Sequence, residues 1–113
     1  MTKKSALQEV GTVKNQGVAY FILSSLADGE KHGYALTKDI EEFSRVRISP
    51  GTLYEALARL EKQGLIEPVA TVDRRRPYRL TAAGAMALNA YVREQERFIQ
   101  VSRTRLRRNW RMA

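Results

Sequence analysis

The side chains in this sequence that could do chemistry are mostly arginines, and their spacing suits binding rather than catalysis. Arg74, Arg75 and Arg76 stand in a row between Asp73 and Pro77. Three adjacent guanidiniums repel one another unless an anion is near, and each guanidinium fork matches two phosphate oxygens at once. A second set, Arg97, Arg103, Arg105, Arg107, Arg108 and Arg111, occupies a stretch that contains no acidic residue. The residues of covalent and acid–base catalysis are scarce by comparison. There is no cysteine and a single histidine, His32. No nucleophile–base spacing surrounds that histidine, so it reads as a polar turn residue. One histidine without cysteines completes no familiar zinc pattern. Neither enzyme activity nor a metal or cofactor is expected.

A net charge of +8 and a pI near 10.2 suggest a polyanionic partner. The acid-free tail accounts for most of that charge, because the first 96 residues hold 14 basic and 12 acidic side chains. Local patterns, not overall charge, must therefore locate a binding face. A chain of 113 residues, 43% of them hydrophobic, makes one small core plus an extension. No apolar segment follows the polar N-terminus as a secretory signal requires. The longest apolar run, Val18 to Leu26, is interrupted by Ser24 and Ser25 and is too short to span a bilayer. A cytoplasmic protein with no membrane partner is expected.

Periodicity supplies the elements that would position the arginines. Residues 1–12 read as a loose arm or short helix. From Val13 to Ala27, Val18, Ile22 and Leu26 fall on one helical face with Phe21 beside them, and Asp28-Gly29 stops that helix. A second helix from about Gly33 to Phe43 would bury Leu36, Ile40 and Phe43 and leave Lys38, Asp39, Glu41 and Glu42 to water. The third has the clearest start, with Ser49 as N-cap and Pro50 at the first helical position. Its apolar face is Leu53, Ala56, Leu57 and Leu60. Gly51, Thr52, Glu55, Ala58, Arg59 and Lys62 lie on or near the opposite one, and Gly64 suits the position after its end. Leu65 to Val72 then reads as a short strand that Pro68 confines to an edge or bulge. Tyr78-Arg79-Leu80 is its return, which puts the arginine triplet at a hairpin tip. Thr81 caps a last long helix in which Leu88, Val92, Gln95, Ile99, Ser102, Leu106 and Asn109 alternate at spacings of four and three. The fold class expected is mainly α with a small β-hairpin: a winged helix-turn-helix followed by a long C-terminal helix.

At that point the residues resemble a known family. His32-Gly33-Tyr34-Ala35-Leu36 is similar to its second-helix opening. Ser49-Pro50-Gly51-Thr52-Leu53-Tyr54, continuing through Leu57, Leu60, Gly64 and Leu65, resembles its recognition helix. Arg76-Pro77-Tyr78-Arg79-Leu80-Thr81, with Gly84, resembles its wing strand. This is the PadR family of bacterial transcriptional regulators, in its short branch with one C-terminal helix, and the likeness covers about residues 17–86. It implies a dimeric repressor that binds a palindromic operator and is released by a small-molecule effector. The basic tail beyond Arg103 is a departure that the resemblance does not explain.

Residues 13–81 are then the DNA-binding domain and 82–113 the dimerisation helix with its basic tail. The expected contacts to double-stranded DNA are Ser49, Gly51, Thr52, Tyr54 and Arg59 from the third helix, and Arg74, Arg75 and Arg76 from the wing. The last helix, about 28 residues and so roughly 42 Å long, outruns a domain of this size. Its stripe needs a second copy of the chain. Leu88, Tyr91, Val92, Gln95, Phe98, Ile99, Ser102, Leu106 and Trp110 are the expected homodimer interface. Trp110 reads first as an interface anchor and second as a platform for a small aromatic effector, since some members hold flat aromatic ligands between subunits. The competing reading is a winged-helix module that binds protein or structured RNA through its basic tail.

Overall fold

The computed structural model describes residues 17–71 and 75–111. Helix α1 occupies 17–27, α2 Gly33–Ser44 and α3 Pro50–Lys62. Strands β1 (Ile66–Pro68) and β2 (Tyr78–Leu80) pair antiparallel, and α4 runs from Ala82 to Trp110. The chain is mainly helical with one small hairpin, as its patterning indicates. The expected N-terminal arm, the opening of the first helix before residue 17, and Arg74 at the hairpin tip lie outside the described residues.

The core sits where α1, α2 and α3 meet. Val18, Ile22, Leu23 and Leu26 come from α1, Leu36 and Ile40 from α2, and Leu53, Ala56, Leu57 and Leu60 from α3, with Ile48 and Ile66 closing its edges. The four α3 residues are those that helical periodicity assigned to one face. Two side chains of α2 depart from expectation. Phe43 is half exposed and sits edge-on to Phe21, ring centroids 5.8 Å apart. Directly after it the helix ends at Arg45 in a left-handed conformation (φ 60°), the chain turns away, and Ile48 enters the core instead. Asp39, expected to face water, accepts a 2.6 Å hydrogen bond from the buried Ser25 hydroxyl and so ties α2 to α1.

The hairpin is shorter than its sequence suggested. Pairing stops at Pro68, which has no N–H to give, although Val69 still donates to the Pro77 carbonyl at 2.9 Å. The register sets Ile66 opposite Leu80 at the base and Pro68 opposite Tyr78 toward the tip. On its other edge β2 forms a bridge with Lys31, each residue donating its N–H to the other's carbonyl. The wing is therefore stitched to the turn that starts α2.

The base of the wing is where α4 is fastened. Helix α3 ends at Gly64 (φ +76°), with the Leu65 N–H donating to the Leu60 carbonyl and the Gly64 N–H to that of Glu61. That pair of bonds is the glycine-dependent helix stop. Thr81 caps α4 by accepting from the Gly84 N–H at 3.0 Å and donates its own hydroxyl to the Gly64 carbonyl at 2.7 Å. The Thr81 N–H takes the Leu65 carbonyl. Gly84 is buried against that same carbonyl: a Cβ placed there would stand 2.0 Å from the Leu65 oxygen. The first turn of α4 thus rests directly on the backbone that ends α3. One turn on, Leu88 packs on the core, and a turn later Tyr91 stacks flat on Tyr20 of α1, ring centroids 3.7 Å apart. Beyond Tyr91 the helix leaves its own domain.

Candidate nucleic-acid interface

The N-terminus of α3 is built to be approached. The Ser49 hydroxyl accepts from the Thr52 backbone N–H at 3.3 Å and donates to Thr52 Oγ1 at 2.9 Å. Thr52 itself is exposed, so its hydroxyl and methyl group are open to a partner. Gly51 meets no heavy atom within 4 Å around its Cβ position and has no positive φ. Neither backbone nor packing requires a glycine there. Its effect is to leave the first turn of α3 bare. No acidic residue occupies the first turn of α3 or of α2, so the partial positive charge of both helix starts is uncompensated.

The start of α2, Tyr54 of α3 and the wing border one cleft. His32, Gly33, Tyr34, Tyr54, Arg75, Arg76 and Tyr78 line it, and its volume is about 810 Å³. The walls carry phenol hydroxyls, an imidazole and two guanidiniums, and none of the described lining residues is a carboxylate. Tyr54 is 60% and Tyr34 75% exposed. The Tyr54 hydroxyl lies 3.1 Å from where a Cβ on residue 33 would stand, so Gly33 admits that ring against the start of α2. An open cleft of donors suits phosphate oxygens.

Three of the eight expected DNA-contacting residues, Tyr54, Arg75 and Arg76, line this cleft. Ser49, Gly51 and Thr52 form the exposed first turn of α3 just before Tyr54 and do not line it. Arg74 lies outside the described residues. Arg59 is set apart: it pairs with Glu55 at 3.3 Å and lines the opposite groove, between α3 and α4. It sits two turns up the helix from Thr52, about 10 Å along the axis, and its 100° position could not reveal that separation. His32, Tyr34 and Tyr78 were not anticipated. Tyr34 lay within reach of sequence reasoning, since it falls opposite Leu36 on the α2 wheel. His32 and Tyr78 enter only through the Lys31 bridge.

On α4, the anticipated interface residues divide. Leu88 and Tyr91 are used within the chain, as described. Val92, Phe98, Ile99, Leu106 and Trp110 remain exposed, Phe98 by 67% and Trp110 by 73%. Gln95 is exposed and Ser102 half-buried in the same row. Val101 extends the apolar surface and lines, with Phe98, Tyr20, Leu60 and Tyr91, a groove of about 1190 Å³ between α4 and the body of the domain. Among the described residues no helix is long and apolar enough to cross a membrane.

Known proteins share this fold. The model of the transcriptional regulator PadR-like family matches residues 22–90, from α1 into the third turn of α4. The chain belongs to the PadR-like family of transcriptional regulators. Its relatives include the transcriptional regulator Rv3488 of Mycobacterium tuberculosis, 45% identical over 74 residues that cover 63% of this chain and 68% of that protein. A 37.1 kDa protein in a Streptomyces fradiae transposon is 51% identical over 63 residues, 56% of this chain but only 18% of that protein. A transcriptional regulator from Clostridium thermocellum has a solved structure with a TM-score of 0.71 at 33% identity, over 82% of this chain and 93% of that one. As a PadR-like protein the chain is a regulator of transcription and not an enzyme, and its hairpin is the wing of a winged helix.

Proposed function

We propose that this PadR-like regulator is a repressor that occupies a palindromic operator as a homodimer in the cytoplasm. The observation that carries the reading is the cleft between the start of α2, Tyr54 of α3 and the wing arginines, in which no described residue is acidic. In this arrangement the first turn of α3 enters the major groove. The exposed Thr52 hydroxyl bonds a base edge, its methyl group meets a neighbouring base, and bare Gly51 lets the groove wall come close. Tyr54, Tyr34, Arg75 and Arg76 hold the phosphates beside it.

The exposed row from Val92 to Trp110 supports pairing with a second chain. Two copies then place two recognition helices one DNA turn apart, about 34 Å. A small aromatic effector held against the exposed aromatic residues of α4, Trp110 among them, would release the operator. Helix α4 is bonded to the end of α3 through Thr81 and Gly64, so tilting α4 moves the recognition helix with it. A shift of a few ångströms breaks the half-site register.

Two variants separate the roles. Thr52→Ala should lose roughly 1–3 kcal/mol on duplex that the parent selects from a random pool, and little on random duplex. The Arg75→Ala/Arg76→Ala pair should weaken both duplexes alike and lower the slope of log affinity against log salt by about two per protomer. Binding measured across a salt series on both duplexes checks this. Equal affinity for every duplex, or preference for an RNA hairpin, would favour the RNA-binding reading over the operator.

A further inference from the structure

We infer that the C-terminal half of α4 is a second phosphate-binding face that grips double-stranded DNA away from the operator half-site. This rests on the reading of the chain as a dimeric DNA-binding regulator. From Arg97 to the end of the helix no acidic residue occurs, and Arg97, Arg103, Arg105, Arg107 and Arg108 are all exposed. Among the described residues the ion pairs are Arg47–Glu41, Arg59–Glu55 and Arg79–Glu67, so none of the α4 arginines has a carboxylate partner. Basic groups at a helix C-terminus complement its dipole, but that effect is confined to the last turn. Arg107 and Arg108 already occupy that turn, which leaves Arg97, Arg103 and Arg105 without that explanation.

Their placement is directional. At 100° per residue Arg93, Arg97, Arg107 and Arg108 fall within an arc of about 100°, opposite Ile99, Ser102 and Leu106, with Arg103 about 40° beyond one edge and Arg105 about 60° beyond the other. When the apolar stripe faces a second copy, the arginine face is turned outward. From Arg97 to Arg108, the part without acidic residues, it extends about 16 Å, the length of about five base pairs of backbone. An amphipathic helix of this composition could otherwise lie on an anionic membrane, but that mode needs the apolar stripe that the dimer uses. The face is also remote from the reading cleft. Helix α4 starts at the base of the hairpin, opposite its tip, and Phe98 and Val101 lie beside Arg59, Leu60 and Gln63 at the C-terminal half of α3. The phosphates it takes therefore belong to a second stretch of duplex, farther along the same molecule or on another one.

The test uses the full chain and its Arg103→Gln/Arg107→Gln/Arg108→Gln variant, with random-sequence duplexes of 20 and 60 base pairs. Sedimentation and circular dichroism confirm that the variant keeps the parent's assembly and helicity. On the 60-base-pair duplex its salt slope should fall by about three per protomer. A smaller fall on the short duplex assigns the face to flanking DNA of the same molecule. Failure of the variant, but not the parent, to join a biotinylated duplex to a fluorescent one assigns it to a second molecule. An unchanged slope on the long duplex and unchanged bridging overturn the inference. The wing pair Arg75→Ala/Arg76→Ala, run alongside, then tells whether the operator-binding reading still stands. Loss of binding to phosphatidylglycerol vesicles or to an RNA hairpin, with duplex binding intact, overturns it in favour of those partners.

Discussion

The Ile99→Glu/Leu106→Glu variant is expected to sediment as a folded monomer and to bind parent-selected duplex at least a hundredfold more weakly than the parent. Both side chains lie on the exposed row of α4 and neither belongs to the core of its own domain. Glutamate is a good helix former, so α4 should persist, and its fastening at Thr81, Gly84 and Tyr91 is untouched. What changes is the cost of pairing two such stripes, since each buried carboxylate would need a partner that an apolar face does not offer. Affinity falls because a dimer binds its second half-site at an effective concentration in the millimolar range, worth about 10²–10⁴ in avidity. Sedimentation, circular dichroism and duplex titration on the same sample check each step. A variant that remained dimeric would place the interface elsewhere on the molecule.

Gly84→Ala is expected to destabilise the fold by about 3 kcal/mol, the upper end for overpacking, and to lower Tm by roughly 12–15 °C. The alanine Cβ would stand 2.0 Å from the Leu65 carbonyl oxygen and 2.7 Å from Leu80 Cδ1. The leucine tip can swing aside, but the carbonyl is backbone and also accepts the Thr81 N–H. Relief requires α4 to lift away, which strains the bonds that hold its first turn to the end of α3. Gly51→Ala is the control. It lies in a helix, in open space and without positive φ, so it should raise stability by about 0.5–1 kcal/mol. Thermal unfolding followed by circular dichroism distinguishes the two. If Gly84→Ala melted with the parent, the seating of α4 on α3 would be looser than its geometry implies.

Much of this molecule is decided locally, and that part was legible in the residues. Ser49 and Pro50 start a helix wherever the chain goes afterwards, because the cap and the fixed φ act within one turn. Leu53, Ala56, Leu57 and Leu60 share a face for the same reason, and Gly64 ends the helix because it takes a left-handed φ without strain. The order of three helices, hairpin and long helix followed from such signals, together with the likeness of short motifs to the PadR family.

Tertiary packing decided what those signals could not reach. The bridge from Lys31 to Tyr78 joins residues far apart in the chain through backbone groups alone, which no side-chain pattern encodes, and it brings His32 and the start of α2 to the wing. Phe43 and Asp39 exchanged their expected roles because burial depends on what a neighbouring helix offers: an edge of Phe21 in one case, the Ser25 hydroxyl in the other. The wheel placed Arg59 on the polar side of α3 with Thr52, but only the path of α4 shows that the two ends of that side face different surroundings. In the same way the spacing along α4 marked Leu88 and Tyr91 as part of one continuous stripe. The fold divides that stripe at Tyr20, because a helix anchored at Gly84 must first cover its own domain before any of it is left for another chain.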